Sequence, residues 1–157
     1  MISIKSGREV ELMRESSLIA AKTLRFLEKK LRVGMSTADV DKLAHDYMVA
    51  RGAIPATLNY NGFPASCCTS RNDVICHGIP SKKEILRDAE ILNIDVTAKY
   101  KGFHGDTNRT YLIGNVKPEY QKLVEITYQC MMAGIAVCRP GAKTGDIGAV
   151  IEEMAHS

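Results

Sequence analysis

The amino-acid sequence predicts an α+β domain in which helices pack against an antiparallel β-sheet. Two helical patterns open the chain, two runs of alternating apolar and polar residues form its middle, and helical periodicity returns near its end. With 157 residues, 45% of them hydrophobic, the chain is long enough to bury a core of its own. This composition gives no support for a disordered, collagen-like or solenoid protein.

Charge and cysteine usage narrow the class of protein further. A net charge of +3, evenly spread, gives no support for a nucleic-acid partner. The five cysteines include the adjacent pair Cys67 and Cys68 but no C-x-x-C motif, so they fit neither a disulfide framework nor a cysteine-ligated zinc site. The sequence has no apolar signal region and no apolar run long enough to span a bilayer. We therefore expect a cytoplasmic protein with reduced thiols and no membrane partner.

Four helices are predicted from capping residues and hydrophobic periodicity. The sequence S-G-R-E from Ser6 is a capping box, and apolar residues follow it at helical spacing. Thr37 can cap a second helix that ends at Gly52. Pro118 occupies the favoured first position of a third helix, and a fourth helix begins near Thr144.

The segment between the helices has the texture of strands and loops. In residues 53–79, short apolar pieces are interrupted by prolines and by Asn-Gly and Asn-Asp pairs, which favours short strands joined by shaped loops. Residues 91–99 and 103–112 each alternate between apolar and polar side chains. With residues 100–102 between them, they predict an antiparallel hairpin.

The predicted hairpin concentrates polar side chains on one face. A turn centred on Tyr100 and Lys101 places Asp95 directly opposite Asp106. The same register pairs further polar residues on that face: Thr97 with His104, and Asn93 with Asn108. The opposite face is apolar and predicted to lie in the core: Ile94, Val96, Ala98 and Phe103.

Two explanations remain open for the facing aspartates. The face can be solvated, with both carboxylates in water, or a divalent cation can lie between carboxylates that otherwise repel each other. Aspartate is depleted in strands, yet Asp95 and Asp106 lie inside well-formed apolar alternation. This placement favours the metal site.

The histidines differ in the roles that their positions predict. His77 follows a short apolar run and lies in a predicted loop among small residues, where it can reach into a cleft or serve as a hydrogen-bonded structural residue. His45 lies at the edge of the apolar face of the second helix and is expected to be structural. His156 lies close to the end of the sequence and receives no role.

A short motif occurs twice. G-M-S-T-A-D-V from Gly34 recurs as G-A-K-T-G-D-I from Gly141, and the helical patterns around the two copies correspond. The alternative is that two unrelated helices carry similar caps. The repeat predicts a first unit at residues 1–113 and the start of a second unit at residues 114–157.

Four motifs occur in an order that identifies a family. They are N-Y-N-G-F-P at 59–64, N-D-V-I-C-H-G-I-P at 72–80, N-I-D-V at 93–96 and G-F-H-G-D-T at 102–107. This ordered set resembles the type I methionine aminopeptidases in their short bacterial form. The resemblance implies the pita-bread fold, an α+β fold of two pseudo-equivalent halves. The 157 residues would hold its first half and two helices of the second, as one metallo-aminopeptidase domain that is incomplete at its C-terminus.

The resemblance also implies roles for individual residues. Asp95 and Asp106 match two ligands of a pair of divalent metal ions, which the sequence does not distinguish among Co, Mn, Fe, Zn and Ni. His77 matches a catalytic loop histidine that hydrogen-bonds the scissile peptide. The remaining matches are Tyr60, Phe63 and Cys68 in the pocket for the methionine side chain, Thr57 where relatives often have Cys, and Asn72 and Val74, whose carbonyls bind a monovalent cation.

The implied function is metal-dependent removal of the N-terminal methionine from newly made proteins whose second residue is small. In the family, a ligand histidine and two glutamates lie in the second half, beyond the motifs present here, so we expect this chain alone to lack a full active site. The alternative is a non-catalytic pita-bread protein that binds peptides, nascent chains or the ribosome. A transient ribosome contact is a further expectation. We also expect a monomer for a full-length form and self-association for a truncated one.

Overall fold

Two helices and a four-stranded antiparallel sheet form the first part of the protein. A computed structural model describes residues 2–156, which divide into two compact units, the first ending at Asn115 and the second beginning at Val116. In chain order the first unit contains α1 (Gly7–Glu28), α2 (Thr37–Val49), β1 (Ile54–Pro55), a 3-10 helix (Tyr60–Gly62), β2 (Cys68–Arg71), β3 (Glu90–Tyr100) and β4 (Phe103–Ile113). The second unit contains α3 (Pro118–Ala136) and α4 (Thr144–His156).

Both N-terminal helices begin at capping boxes. Ser6 Oγ accepts a hydrogen bond from the Glu9 amide, and the Ser6 amide donates to Glu9 Oε2 at 2.7 Å, as predicted for α1. The prediction for α2 was wrong by one residue, because Ser36 rather than Thr37 is the N-cap. Ser36 forms the reciprocal pair with Asp39, which leaves Thr37 free to bond the loop that precedes β3.

Strand β3 organises the sheet. It pairs along its whole length with β4, and on its other edge with β2 near its start and with β1 near its end. The alternating side chains of β3 that face the helices are fully buried: Leu92, Ile94, Val96 and Ala98. They form one core with the apolar faces of α1 and α2, which include Leu27, Val40 and Met48. The predicted core face of β3 is thus confirmed.

The predicted hairpin register was wrong by two positions. The turn residues are Lys101 and Gly102, both with positive φ (49° and 87°), so Tyr100 pairs with Phe103. A two-residue turn in which both residues have positive φ matches the twist of the paired strands. Glycine adopts positive φ readily, so the turn includes Gly102 and lies one residue further along the chain than predicted. Asp106 therefore lies opposite Thr97 and not opposite Asp95. The shift is an even number of residues, so every side chain keeps its predicted face.

The other predicted pairs change with it. His104 lies opposite Lys99, Asn93 opposite Thr110, and Asn108 opposite Asp95. Asn93 still reaches Asn108 diagonally, because its Nδ2 donates to Asn108 Oδ1 at 3.0 Å.

The second unit is a helical pair. Pro118 is the first residue of α3, as predicted. Gly134 lets α4 approach closely, since a Cβ there would lie 3.1 to 3.2 Å from side-chain atoms of Ile151 and Ile147. The turn before α4 resembles the one before α2, since Gly34 and Gly141 have φ of 89° and 91°. In each helix an aspartate side chain also accepts a hydrogen bond from the backbone N–H of the residue three positions before that aspartate. This likeness supports the repeat, whose boundaries stay a prediction.

Among the helices within residues 2–156, none combines the length and the apolar character needed to cross a lipid bilayer.

Ala89 lies in a conformation that suits glycine better. Its φ is 65°, where the Cβ of an L-residue crowds the backbone. We expect Ala89→Gly to raise the free energy of unfolding by about 0.5 kcal/mol, because the relief of crowding exceeds the added entropy of the unfolded chain. Urea denaturation measures the change. Ala21→Gly in the interior of α1 is the control and should lower stability by about 1 kcal/mol; equal losses in the two variants would contradict the interpretation.

Candidate metal-binding site on the β3–β4 hairpin

Two aspartates lie close together on the polar face of the hairpin. Asp95 lies opposite Asn108 and Asp106 opposite Thr97, so the two carboxylates are diagonal neighbours, with backbones about 7 to 8 Å apart. Burial raises the pKa of Asp95 to about 6, and the nearby carboxyl of Asp106 contributes to the rise. The structure therefore brings together the two side chains predicted as metal ligands, in a different register from the one expected.

One oxygen of Asp95 is buried and unsatisfied. Its Oδ1 is inaccessible to solvent and has no hydrogen-bond partner among residues 2–156. A buried carboxylate oxygen beside a second carboxylate is unfavourable unless a proton or a cation neutralises it. Oxygen donors of this kind suit a divalent cation, so both residues fit the metal ions that the resemblance implies.

The two carboxylates do not form a complete site. No group of three or more His, Cys, Asp or Glu side chains suited to holding one metal ion is found in the described part of the chain. Two carboxylates alone are expected to bind a divalent ion weakly, since affinity rises with the number of ligands.

Cys68 on β2 pairs directly with Asp95 on β3. Burial raises the pKa of the Cys68 thiol to about 11, with the charge of Asp95 as the next cause. Burial likewise raises the pKa of the Cys67 thiol, and Asp41 adds to the effect. Both thiols are therefore protonated at neutral pH. Cys68 thus places a neutral, polarisable thiol beside Asp95 and is not a nucleophile.

Asp41 on α2 holds the start of β2 in place. Its Oδ1 accepts hydrogen bonds from the backbone amides of Ser66 at 2.8 Å and Cys67 at 3.0 Å. One turn later on the same helix, His45 Nδ1 lies 2.8 Å from Ser66 Oγ. Asp41 had no predicted role, although its spacing from His45 places both residues on one face of the helix. His45 is structural, as expected.

A loop brings His77 to the same place. His77 is exposed, has a φ of 56°, and its charge opposes the rise in the pKa of Asp95, so the two side chains are electrostatic neighbours. The next residue, Gly78, lies directly on β2: its carbonyl accepts from the Thr69 amide at 2.9 Å and its amide donates to Ser70 Oγ at 3.1 Å. A Cβ on Gly78 would lie 2.2 Å from the Thr69 carbonyl oxygen.

A second glycine makes a similar contact beside Asp106. A Cβ on Gly105 would lie 2.2 Å from the Ser17 amide nitrogen, so the backbone of α1 rests directly on the hairpin. Ser16 Oγ lies 3.1 Å from the Tyr100 carbonyl and 3.0 Å from the Phe103 carbonyl. The two motif glycines thus fix the backbone next to His77 and Asp106.

The remaining predicted residues lie on the loops around β2. Tyr60 is 69% exposed on the 3-10 helix between β1 and β2, and Phe63 follows it, half-buried. The Thr57 hydroxyl is buried without a partner in residues 2–156. Asn72 has a φ of 48° and bonds Ile91 through its amide and its Oδ1, each at 3.1 Å. The substrate and cation roles of these residues stay predictions.

Val74 follows Asn72 on the same loop. Its amide donates to the Arg71 carbonyl at 2.9 Å, which folds the chain tightly after β2. The predicted use of the Asn72 and Val74 carbonyls for a monovalent cation likewise stays a prediction.

Known proteins are similar to this chain in sequence and in fold. The model of Metallopeptidase family M24 matches residues 11–157. Methionine aminopeptidase A from Synechocystis sp. is 44% identical over 156 residues, which cover 99% of this chain and 62% of that protein. The crystal structure of methionine aminopeptidase from Rickettsia prowazekii superposes with a TM-score of 0.97 at 44% identity, over 99% of this chain and 62% of that one.

More distant structures share the fold alone. An X-Pro aminopeptidase from Thermotoga maritima superposes with a TM-score of 0.81 at 18% identity, over 98% of this chain and 42% of that one. The chain therefore spans less than two thirds of the length of these similar proteins.

Gly105→Ala tests the contact between α1 and the hairpin. We expect a loss of about 1 to 3 kcal/mol in the free energy of unfolding, because the added methyl group overlaps the backbone at Ser16 and Ser17. Urea denaturation followed by circular dichroism measures the loss. Gly7→Ala, where a Cβ meets nothing within 4 Å, is the control and should change stability by less than about 0.5 kcal/mol. A Gly105→Ala variant as stable as the control would disprove the close contact.

Proposed function

Because the chain belongs to metallopeptidase family M24, we propose that it forms the N-terminal part of a methionyl aminopeptidase, which removes the first methionine from newly made proteins. The observation that carries the proposal is the pair Asp95 and Asp106, with one buried, unsatisfied carboxylate oxygen, beside the loop histidine His77. The similar protein from Synechocystis sp. adds support, since its name states this activity.

Asp95 and Asp106 would hold the divalent metal ions. A metal ion bound there supplies Lewis-acid chemistry, polarising a peptide carbonyl and activating water for attack. The choice among Co, Mn, Fe, Zn and Ni is open, because carboxylate oxygens accept all of them. Ligands from outside the described residues are needed to complete the coordination shell, since two carboxylates hold a divalent ion weakly.

His77 would orient the peptide. Its exposed imidazole can hydrogen-bond a backbone group of the substrate, and its left-handed backbone together with the bonds of Gly78 to β2 limits its freedom. A residue held this way loses less entropy when it binds a peptide, which favours productive alignment.

The methionine side chain would lie near Cys68, Tyr60 and Phe63. The Cys68 thiol stays protonated and polarisable, and the two aromatic side chains supply apolar surface, a combination suited to a thioether. A small second residue in the substrate is expected where the site is narrow. The Asn72 and Val74 carbonyls would hold a monovalent cation.

The proposed setting follows from the proposed substrate. Nascent chains expose their first methionine in the cytoplasm, so we place the protein there, with a transient ribosome contact. The alternative, a non-catalytic peptide-binding protein of the same fold, gains no support from the site, because such a protein has no need for two neighbouring carboxylates, one with a buried and unsatisfied oxygen, beside a histidine.

Metal binding by the 157-residue chain tests the ligand assignment. We expect Mn²⁺ to bind weakly in isothermal titration calorimetry and Asp106→Asn to abolish the binding, because it removes one of two anionic ligands. Asp46→Asn, which alters an exposed ion pair with Lys42 on α2, is the matched control and should bind as the parent does. Equal binding by the Asp106→Asn variant would overturn the assignment.

Methionine release tests the activity itself. Protein of verified mass is incubated with a Met-Ala-Ser peptide, with and without Mn²⁺ or Co²⁺. Metal-dependent release that Asp106→Asn abolishes would show that a longer chain or a second copy supplies the missing ligands. We expect no release from the chain alone at concentrations that keep it monomeric, because the described residues provide two ligands only.

The oligomeric state is a separate expectation. Helix α3 exposes large apolar side chains, including Leu123 and Ile135 at 54% and 56%, which favours self-association. Sedimentation velocity should show a weight-average mass that rises with concentration. A monodisperse species of 17.3 kDa at all concentrations would contradict this expectation.

A further inference from the structure

Residues 72–89, the β2–β3 loop, carry His77 between two adjacent strands of the sheet. The loop is long and its first half is exposed, with Ile75 at 94%. Loops of this length need specific attachments to hold one conformation. The contacts that attach this loop to the rest of the first unit therefore determine how precisely His77 is positioned.

The second half of the loop is attached to α2. Thr37 Oγ1 bonds the backbone of Ser81, accepting from its amide at 2.9 Å, and the Thr37 amide donates to the Glu84 carbonyl at 2.8 Å. The Gly34 amide donates to the Leu86 carbonyl at 2.8 Å. These contacts make residues 81–86 part of the folded body.

The first half of the loop rests on β2. The amide of Gly78 donates to Ser70 Oγ, and its carbonyl accepts from the Thr69 amide. His77 thus depends on the position of β2, while the rest of its loop depends on α2.

Arg71 connects these two attachments. It is the last residue of β2, and its side chain is 16% exposed. Its Nε and Nη2 donate to Glu90 at 3.2 and 2.6 Å, and its Nη1 forms an ion pair with Glu84 in the second half of the loop. A planar guanidinium can hold two carboxylates in fixed directions, which an ammonium group cannot do.

Glu90 completes this cluster at the first residue of β3. Burial alone would raise the pKa of Glu90, but hydrogen bonds from Arg71 and from the Arg87 amide hold it below its usual value. The carboxylate is 11% exposed and stays charged, so it needs the guanidinium.

We propose that Arg71 is a positioning residue for His77. By joining Glu90 and Glu84 to the end of β2, it keeps the two halves of the β2–β3 loop in register, and so holds Gly78 on Ser70 and His77 beside Asp95. The effect of Arg71 on peptide binding rests on the proposed function, whereas its effect on the loop does not.

Amide hydrogen exchange in the 157-residue chain, followed by NMR, tests the proposal. In Arg71→Met we expect the Gly78 and Thr69 amides to exchange about tenfold faster or more, because the loop opens locally once the charge-assisted bonds are lost. The amides of Ile94 and Val96 in the central strand should keep their rates. His77 should change from one ring Cε1–H resonance to broadened or multiple resonances.

Two further variants keep the test decisive if Arg71→Met unfolds. Glu84→Gln weakens the link to the loop, at a carboxylate that is 54% exposed, and leaves Arg71 bonded to Glu90. It should accelerate Gly78 exchange by a smaller factor. Arg71→Lys keeps the charge without the planar fork and should restore the Gly78 rate only in part.

Arg109→Met is the matched control. It removes another arginine from a carboxylate, Glu28, at a half-exposed ion pair between β4 and α1. Its Gly78 rate and His77 resonance should equal those of the parent chain.

Two outcomes would overturn the proposal. In one, Gly78 exchange and the His77 resonance are unchanged in Glu84→Gln and in a folded Arg71→Met. In the other, the β3 amides accelerate as much as Gly78, which would mean that Arg71 supports only global stability. Because exchange is measured without metal or substrate, Mn²⁺ binding that Asp106→Asn leaves unchanged would count against the proposed function and leave this result intact.

Discussion

The direct contact between the backbone of α1 and the hairpin at Gly105 is the constraint on which the rest of the first unit depends. It brings a helix to within van der Waals distance of two strands at a point where no side chain intervenes. Ser16 then reaches the carbonyls on both sides of the turn, and the apolar face of β3 is fully covered. Because α1 covers one face of the hairpin, the polar side chains lie on the opposite face, where Asp95 and Asp106 are neighbours.

The same arrangement explains why the site is electrostatically unfavourable without a cation. The strands on both sides of β3 partly bury Asp95, and the hairpin register leaves Asp106 as its diagonal neighbour. Burial and like charge both oppose ionisation of Asp95. A protein tolerates such a conflict where function requires it, and a divalent cation relieves both effects at once. The cost to stability and the proposed capacity to bind metal thus have one physical origin.

The candidate site combines two levels of rigidity. The aspartates lie on paired strands whose geometry is set by backbone hydrogen bonds and close packing. His77 lies on a loop whose geometry is set by the contacts of a single glycine with β2 and by the ion pairs of Arg71. Ligands on strands suit a metal ion that demands fixed distances, whereas a loop histidine can adjust to different peptides.

The sequence alone determined the class of fold, the helices, the polar and apolar faces of the hairpin and the motifs that carry Asp95, Asp106 and His77, because these depend on local capping, periodicity and composition. It did not determine the register, since the choice between Tyr100-Lys101 and Lys101-Gly102 as turn residues depends on a small difference in backbone preference. The contacts of Asp41 and Arg71 could not be predicted from the sequence either, because their partners Ser66, Glu84 and Glu90 are distant in the chain. Only the tertiary structure decided which buried oxygen of Asp95 is left without a donor, because that depends on how β2, β3 and β4 enclose it.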